Sequence, residues 1–190
     1  EARRVGNPPQ LDSDTDAAWR SARPLRVPLG RDEDTLEGHA AWEVELRAVY
    51  TEDTLFLLAR WAGEPPNGAA GTTFNRLTVH WTIPALAGGP APACNVACHT
   101  AYVDGQGGVA YMHSETIPQG GQDALPAAGG WVKDHWSIAW SRPLVSANPY
   151  DLQFSDLDAE YLFFVKVFAQ AANRPDPISE PYVLVFDPHP

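Results

Sequence analysis

From Trp42 to Tyr50 every second residue is apolar: Trp42, Val44, Leu46, Ala48 and Tyr50 share one parity, with Glu43, Glu45 and Arg47 on the other. A period of two sends alternate side chains to opposite faces of an extended chain, so this stretch is a strand with one face in a core and one in water. The turn residues Thr51-Glu52-Asp53 follow, and Leu55 to Trp61 is apolar again, which predicts a β-hairpin.

The same grammar recurs. Between Phe74 and Ile83, Leu77, Val79, Trp81 and Ile83 are inward, while Arg76, Thr78, His80 and Thr82 are outward, making His80 a solvent-facing strand residue. Trp136, Ile138 and Trp140 alternate with Ser137, Ala139 and Ser141. The near-continuous apolar run from Tyr161 to Ala169 suits a central strand buried on both sides. Pro24 to Leu29 and Tyr182 to Phe186 read as the first and last strands, and Asn148 to Asp158 as a connection with a helical turn. Loops are read at Gly63–Gly71 and Asn173–Pro177. The run Asp12-Ser13-Asp14-Thr15-Asp16 caps a short helical turn near Trp19; it lacks the Gly and closing Glu of a calcium loop. The sum is an all-β, antiparallel β-sandwich with little helix, one domain over residues 1–190.

Charge narrows the function classes. A formal net charge of −11 argues against a nucleic-acid partner, which needs a basic patch. No apolar run approaches the roughly 20 residues of a bilayer span. No nucleophile stands with a base and no acids are paired, so the reading is not an enzyme. The cluster Gly105-Gln106-Gly107-Gly108 follows no strand and opens no helix, unlike a nucleotide loop.

From Pro84 to Gly130 regular periodicity lapses into Pro and Gly, which predicts a long functional loop over about residues 84–130. Inside it lies Cys94-Asn95-Val96-Ala97-Cys98-His99, holding both cysteines of the chain. This is one residue longer than the C-x-x-C-H signature of covalent haem attachment. Two thiols would add to the porphyrin vinyls, and the adjoining imidazole would reach iron, giving one haem c held by Cys94 and Cys98 with His99 axial. Attachment of that kind implies a periplasmic or otherwise extracytoplasmic protein. The alternatives are buried cysteines, a local disulfide, zinc held by Cys94, Cys98, His99 and His80, or copper held by His80, Cys98, His113 and Met112.

Leu11-Asp12 with Trp19, the pair Val44–Tyr50 and Leu55–Trp61, the Cys94–His99 motif, and Gly130-Trp131 through Trp136–Leu144 occur together in an order that resembles one family. It is the haem-binding domain of ethylbenzene dehydrogenase γ-subunits and related periplasmic c-type cytochromes. The resemblance implies a haem at one end of the sandwich, with Met112 as the second axial ligand and Lys133 or His135 as lesser candidates. It also implies outer-sphere electron transfer with a redox partner such as a molybdoenzyme or another cytochrome. The competing function classes are a carbohydrate-binding module and a copper or zinc protein, which such a fold also accommodates.

Overall fold

The computed structural model describes residues 1–30, 42–62, 75–82, 96–103, 109–113, 126–146, 152–168 and 178–187. Eleven strands and one short helix are assigned among them: β1 Ala2–Arg4, α1 Ala17–Ser21, β2 Leu25–Leu29, β3 Trp42–Tyr50, β4 Thr54–Ala62, β5 Asn75–Thr82, β6 Val96–Val103, β7 Val109–His113, β8 Ala127–Val132, β9 His135–Pro143, β10 Tyr161–Phe168 and β11 Tyr182–Leu184. They form two sheets. The first runs β1-β3-β4-β9-β8, with β2 sharing the β3 edge with β1, and the second runs β11-β10-β5-β6-β7. All pairings between named strands are antiparallel except β1 with β3. The all-β sandwich read from the periodicity is the observed architecture. No helix among the described residues is long and apolar enough to cross a membrane.

The period-two pattern decides which faces meet. Val44, Leu46, Ala48 and Tyr50 of β3, Leu55, Leu57, Ala59 and Trp61 of β4, and Trp136, Ile138 and Trp140 of β9 line the inner face of the first sheet. Leu77, Val79 and Trp81 of β5 and Phe163, Val165 and Val167 of β10 line that of the second. Each buried aromatic side chain withdraws about 150–250 Å² from water, a gross gain of roughly 4–6 kcal/mol before entropy is charged against it. One edge of the core is closed by Leu152 and Phe154; of the segment expected to hold a helical turn, 148–151 lie outside the described residues and 152–158 carry no helix. Phe154 meets Trp81 at 5.3 Å, Tyr161 at 4.7 Å and Phe186 at 5.7 Å between ring centroids. The guanidinium of buried Arg142 lies 5.0 Å from the Phe154 ring centre, and its Nε donates to Pro143 O at 3.1 Å.

Helix α1 sits against the other face of the first sheet. Asp16 caps it by accepting from Ala18 N at 2.7 Å, as the acidic run suggested, and Trp19 packs with Val49, Phe56, Leu58 and Ala139 in a second core. The two ends of the described chain lie side by side. Ala2 N donates to Val185 O at 2.7 Å, Asp187 N donates to Ala2 O at 2.8 Å, and Ala2 bridges Phe186 in the parallel sense.

Three sequence expectations change. Leu162 in β10 is 43% exposed, so the outer face of that strand is only partly covered by the described residues. His80 is half-buried, with its ring stacked on Phe164 at 4.5 Å and 3° between planes, instead of facing solvent alone. Within 84–130, read as a loop, the structure has β6, β7 and the greater part of β8. The loops expected at 63–71 and 173–177 lie outside the described residues.

Candidate binding site

Three tryptophans stand in one row across the first sheet. Trp61 of β4 is the register partner of Trp136 of β9, and Trp136 is the partner of Trp131 of β8. Directly opposed residues share a face, so all three fall on the inner one. Trp61 and Trp136 stack at 6.5 Å with 21° between planes, and Trp131 meets Trp136 edge-on at 5.5 Å and 69°. Trp61 and Trp136 are buried, whereas Trp131 at the sheet edge is half-buried.

Strand β8 is built to present that one ring. Its inner-face positions are Ala127, Gly129 and Trp131, so the indole is the only large side chain on that side. Gly129 is required by close approach: a Cβ there would stand 2.2 Å from Ser137 O and 2.8 Å from Ile138 Cα. The β8–β9 connection is as short as a chain allows. Asp134 N donates to Val132 O at 2.8 Å around Lys133, whose φ of 59° makes this a γ-turn of the strained, left-handed kind.

On the opposite face, a chain of charges fixes the same strand ends. His135 Nε2 lies 3.2 Å from Asp14 Oδ2, and Nδ1 lies 3.0 Å from Asp134 Oδ1. Asp14 also pairs with Arg60 Nε at 3.3 Å, and Arg60 approaches Glu45 at 3.7 Å. Glu45 takes Arg47 Nε at 3.0 Å, and Arg47 Nη1 donates to the Trp19 and Ala22 carbonyls at 3.2 and 3.1 Å. The hydrogen bond from His135 holds the Asp134 carboxyl below its ordinary value, so it is ionised at neutral pH. Because Arg60 and His135 directly adjoin Trp61 and Trp136, this network clamps the backbone from which those rings project. Trp61 Nε1 is buried and has no hydrogen-bond partner among the described residues. A rigid indole beside two buried ones, at an edge with small neighbours, is a surface for a flat apolar ligand face that also carries hydroxyls.

The chain was compared with known proteins. No family model matches it, and no curated protein does. Among solved structures, a carbohydrate-binding module of family 9 from Caldicellulosiruptor kristjanssonii in complex with glucose matches with a TM-score of 0.53 and 12% identity, covering 93% of this chain and 84% of that one. The family 9 module from the same organism in complex with cellotriose matches with a TM-score of 0.55 and 10% identity, covering 93% and 81%. The likeness is one of fold.

These matches correct the resemblance to the haem-binding domain of the ethylbenzene dehydrogenase type. The similar solved folds are carbohydrate-binding modules, not cytochromes, and the reading of this chain as an electron-carrying c-type cytochrome falls with that resemblance. Among the described residues no group of three or more His, Cys, Asp or Glu side chains could hold a metal ion.

Of the residues expected to hold haem c, Cys98, His99 and Met112 lie on strands of the second sheet. Cys94 lies outside the described residues. Cys98 is on β6 in register with His80, His99 is in register with Val79 and His113, and Met112 on β7 is in register with Thr100. His99 and Met112 are therefore of opposite parity, on opposite faces of the second sheet. Lys133 occupies the β8–β9 turn, and His135 belongs to the Asp14 network. The tryptophan row went unread in the sequence because only register aligns Trp61, Trp131 and Trp136; the signal available was a tryptophan on each of three inward parities.

Proposed function

We propose that this domain is a non-catalytic carbohydrate-binding module whose Trp131 edge takes a glucose-type sugar or a short chain of such sugars. The half-buried Trp131 indole, backed by Trp136 and Trp61, carries the reading. One face of a pyranose ring is a patch of C–H groups ringed by hydroxyls, and an indole supplies the apolar surface it stacks on. The fold likeness to modules solved with glucose and with cellotriose supports the same ligand class. An extracytoplasmic location accords with it, since polysaccharides of this kind are met outside the cell.

The test is calorimetric titration with glucose, cellobiose and cellotriose, alongside affinity electrophoresis in gels containing soluble glucan. Binding by the parent, with Trp131→Ala losing at least tenfold in affinity at an unchanged unfolding midpoint, is the expected result. A correctly folded parent that binds none of these at 10 mM or so, on the order of −3 kcal/mol of binding free energy, would refute the proposal.

A further inference from the structure

The outer edge of β8 carries hydrogen-bonding groups that neither the tryptophan row nor the charge network uses. Ser141 N donates to Pro126 O at 3.0 Å, and Leu144 N donates to Asp53 O at 2.7 Å. In an antiparallel ladder hydrogen-bonded and non-hydrogen-bonded pairs alternate, so these two bonds fix the phase of both ladders of β9. Counting on by twos, Trp140, Ile138 and Trp136 turn their N–H and C=O groups toward Leu57, Ala59 and Trp61 of β4. Their partners on the other side, Ala127, Gly129 and Trp131, therefore make no ladder bonds to β9 and turn theirs outward. β8 is the last strand of its sheet among the described residues, and β7 nears it without pairing with it. Each of its six residues keeps partial exposure.

We infer that the outward N–H and C=O groups of Ala127, Gly129 and Trp131 bond the hydroxyls of a linear, neutral oligosaccharide lying along β8 from the Trp131 indole, a role that rests on the domain being a carbohydrate-binding module. Backbone groups at half-buried positions need partners. A hydroxyl suits either kind, accepting from N–H and donating to C=O. No bulky side chain shadows the row, since residues 127 to 130 are Ala-Ala-Gly-Gly. Ala127 to Val132 includes no cation to answer an acidic sugar, and neither the charge nor the proline that guards an exposed edge. From Ala127 to Trp131 the row advances four residues, about 13 Å at the rise of a strand, which is longer than one pyranose ring. A monosaccharide on the indole would leave the Ala127 end unmet, whereas two or three linked rings would reach the whole row.

Amide hydrogen exchange of the intact chain, followed by NMR with and without cellotriose, tests this. In the free protein the amides of Ala127, Gly129 and Trp131 should exchange fast, and those of Ala128 and Gly130, bonded to β9, slowly. Saturating cellotriose should slow the first three about tenfold and bind about tenfold tighter than glucose, the worth of a few net hydrogen bonds. Ala127→Pro removes one outward donor and no ladder bond, at the first position of an edge strand, where proline is tolerated. It should weaken cellotriose binding about threefold; should this variant fail to fold, the exchange pattern of the parent decides alone. Cellotriose that binds and leaves the three amides unprotected, or binds no tighter than glucose, overturns the inference and leaves the carbohydrate-binding module standing. Failure of every sugar to bind removes both. Protection of the three amides in the free chain that grows with protein concentration would place a second copy on this edge, and that also overturns it.

Discussion

Replacing Gly129 by alanine tests the packing that holds Trp131 in place. The added Cβ would lie 2.2 Å from Ser137 O and 2.8 Å from Ile138 Cα, both backbone atoms of β9, so no side chain can rotate away to admit it. Restoring even a tight contact of 3.0 Å requires β8 and β9 to separate by nearly an ångström at the middle of their ladder. Overpacking of this sort costs about 1–3 kcal/mol, and each ladder hydrogen bond stretched out of range adds about 1 kcal/mol. The lower entropy of an unfolded alanine returns only about 0.4–1 kcal/mol. The net expectation is a loss of about 2–4 kcal/mol, read from urea unfolding followed by tryptophan fluorescence. Because Trp131 rides on β8, its coupling to Trp136 should weaken as well, visible as a reduced near-ultraviolet circular dichroism band. A Gly129→Ala protein within 0.5 kcal/mol or so of the parent would contradict the close approach and the overpacking penalty.

Three further outcomes follow from the same geometry. Lys133 holds a φ of 59°, so Lys133→Gly should stabilise the domain by about 1 kcal/mol; a lower urea midpoint would count against a strained turn. Phe154→Ala removes a ring wedged among Trp81, Tyr161, Phe186 and the Arg142 guanidinium, and should cost about 3–5 kcal/mol; a loss under 1 kcal/mol or so would show that the ring does not close the core. Asp53 Oδ1 accepts from Thr54 at 2.8 Å and Thr51 at 3.1 Å, which lowers its pKa. A depressed carboxyl contributes stability in full above its unfolded value near 3.9 and loses it as pH falls through the folded one. Thr54→Val should therefore raise the Asp53 midpoint in a carboxyl ¹³C titration, and an unmoved midpoint would discount the hydroxyl.

The strands most legible in the sequence were those with one wet face. In β3 the charges Glu43, Glu45 and Arg47 fix the parity, and the observed face of Val44, Leu46, Ala48 and Tyr50 is the one the alternation demanded. β10 misled because Leu162 and Phe164 are apolar on a face that the described chain leaves partly open, and hydrophobicity alone cannot tell a covered face from a bare one. β6 and β7 were hidden among Pro and Gly, and β8 by Gly129 and Gly130, the first of which is required because β9 comes so close. β1 is three residues long, too short to carry a period. The candidate site was less legible than the fold. Cys94–His99 is a run that catches the eye by sequence spacing alone, whereas Trp61, Trp131 and Trp136 meet only through register between three strands.

The parallel bridge between Ala2 and the 185–187 segment has a mechanical meaning. Residue 1 leaves one end of that bridge and residue 187 leaves the other, so tension applied across the domain would slide the two strands lengthwise past each other. Ala2 N to Val185 O, Asp187 N to Ala2 O and the 2.6 Å ion pair of Arg3 with Asp187 would then bear load together instead of opening one after another. A domain tethered at both ends and pulled by flow would thus meet force first at a shear clamp, remote from the indole edge proposed to grip its ligand.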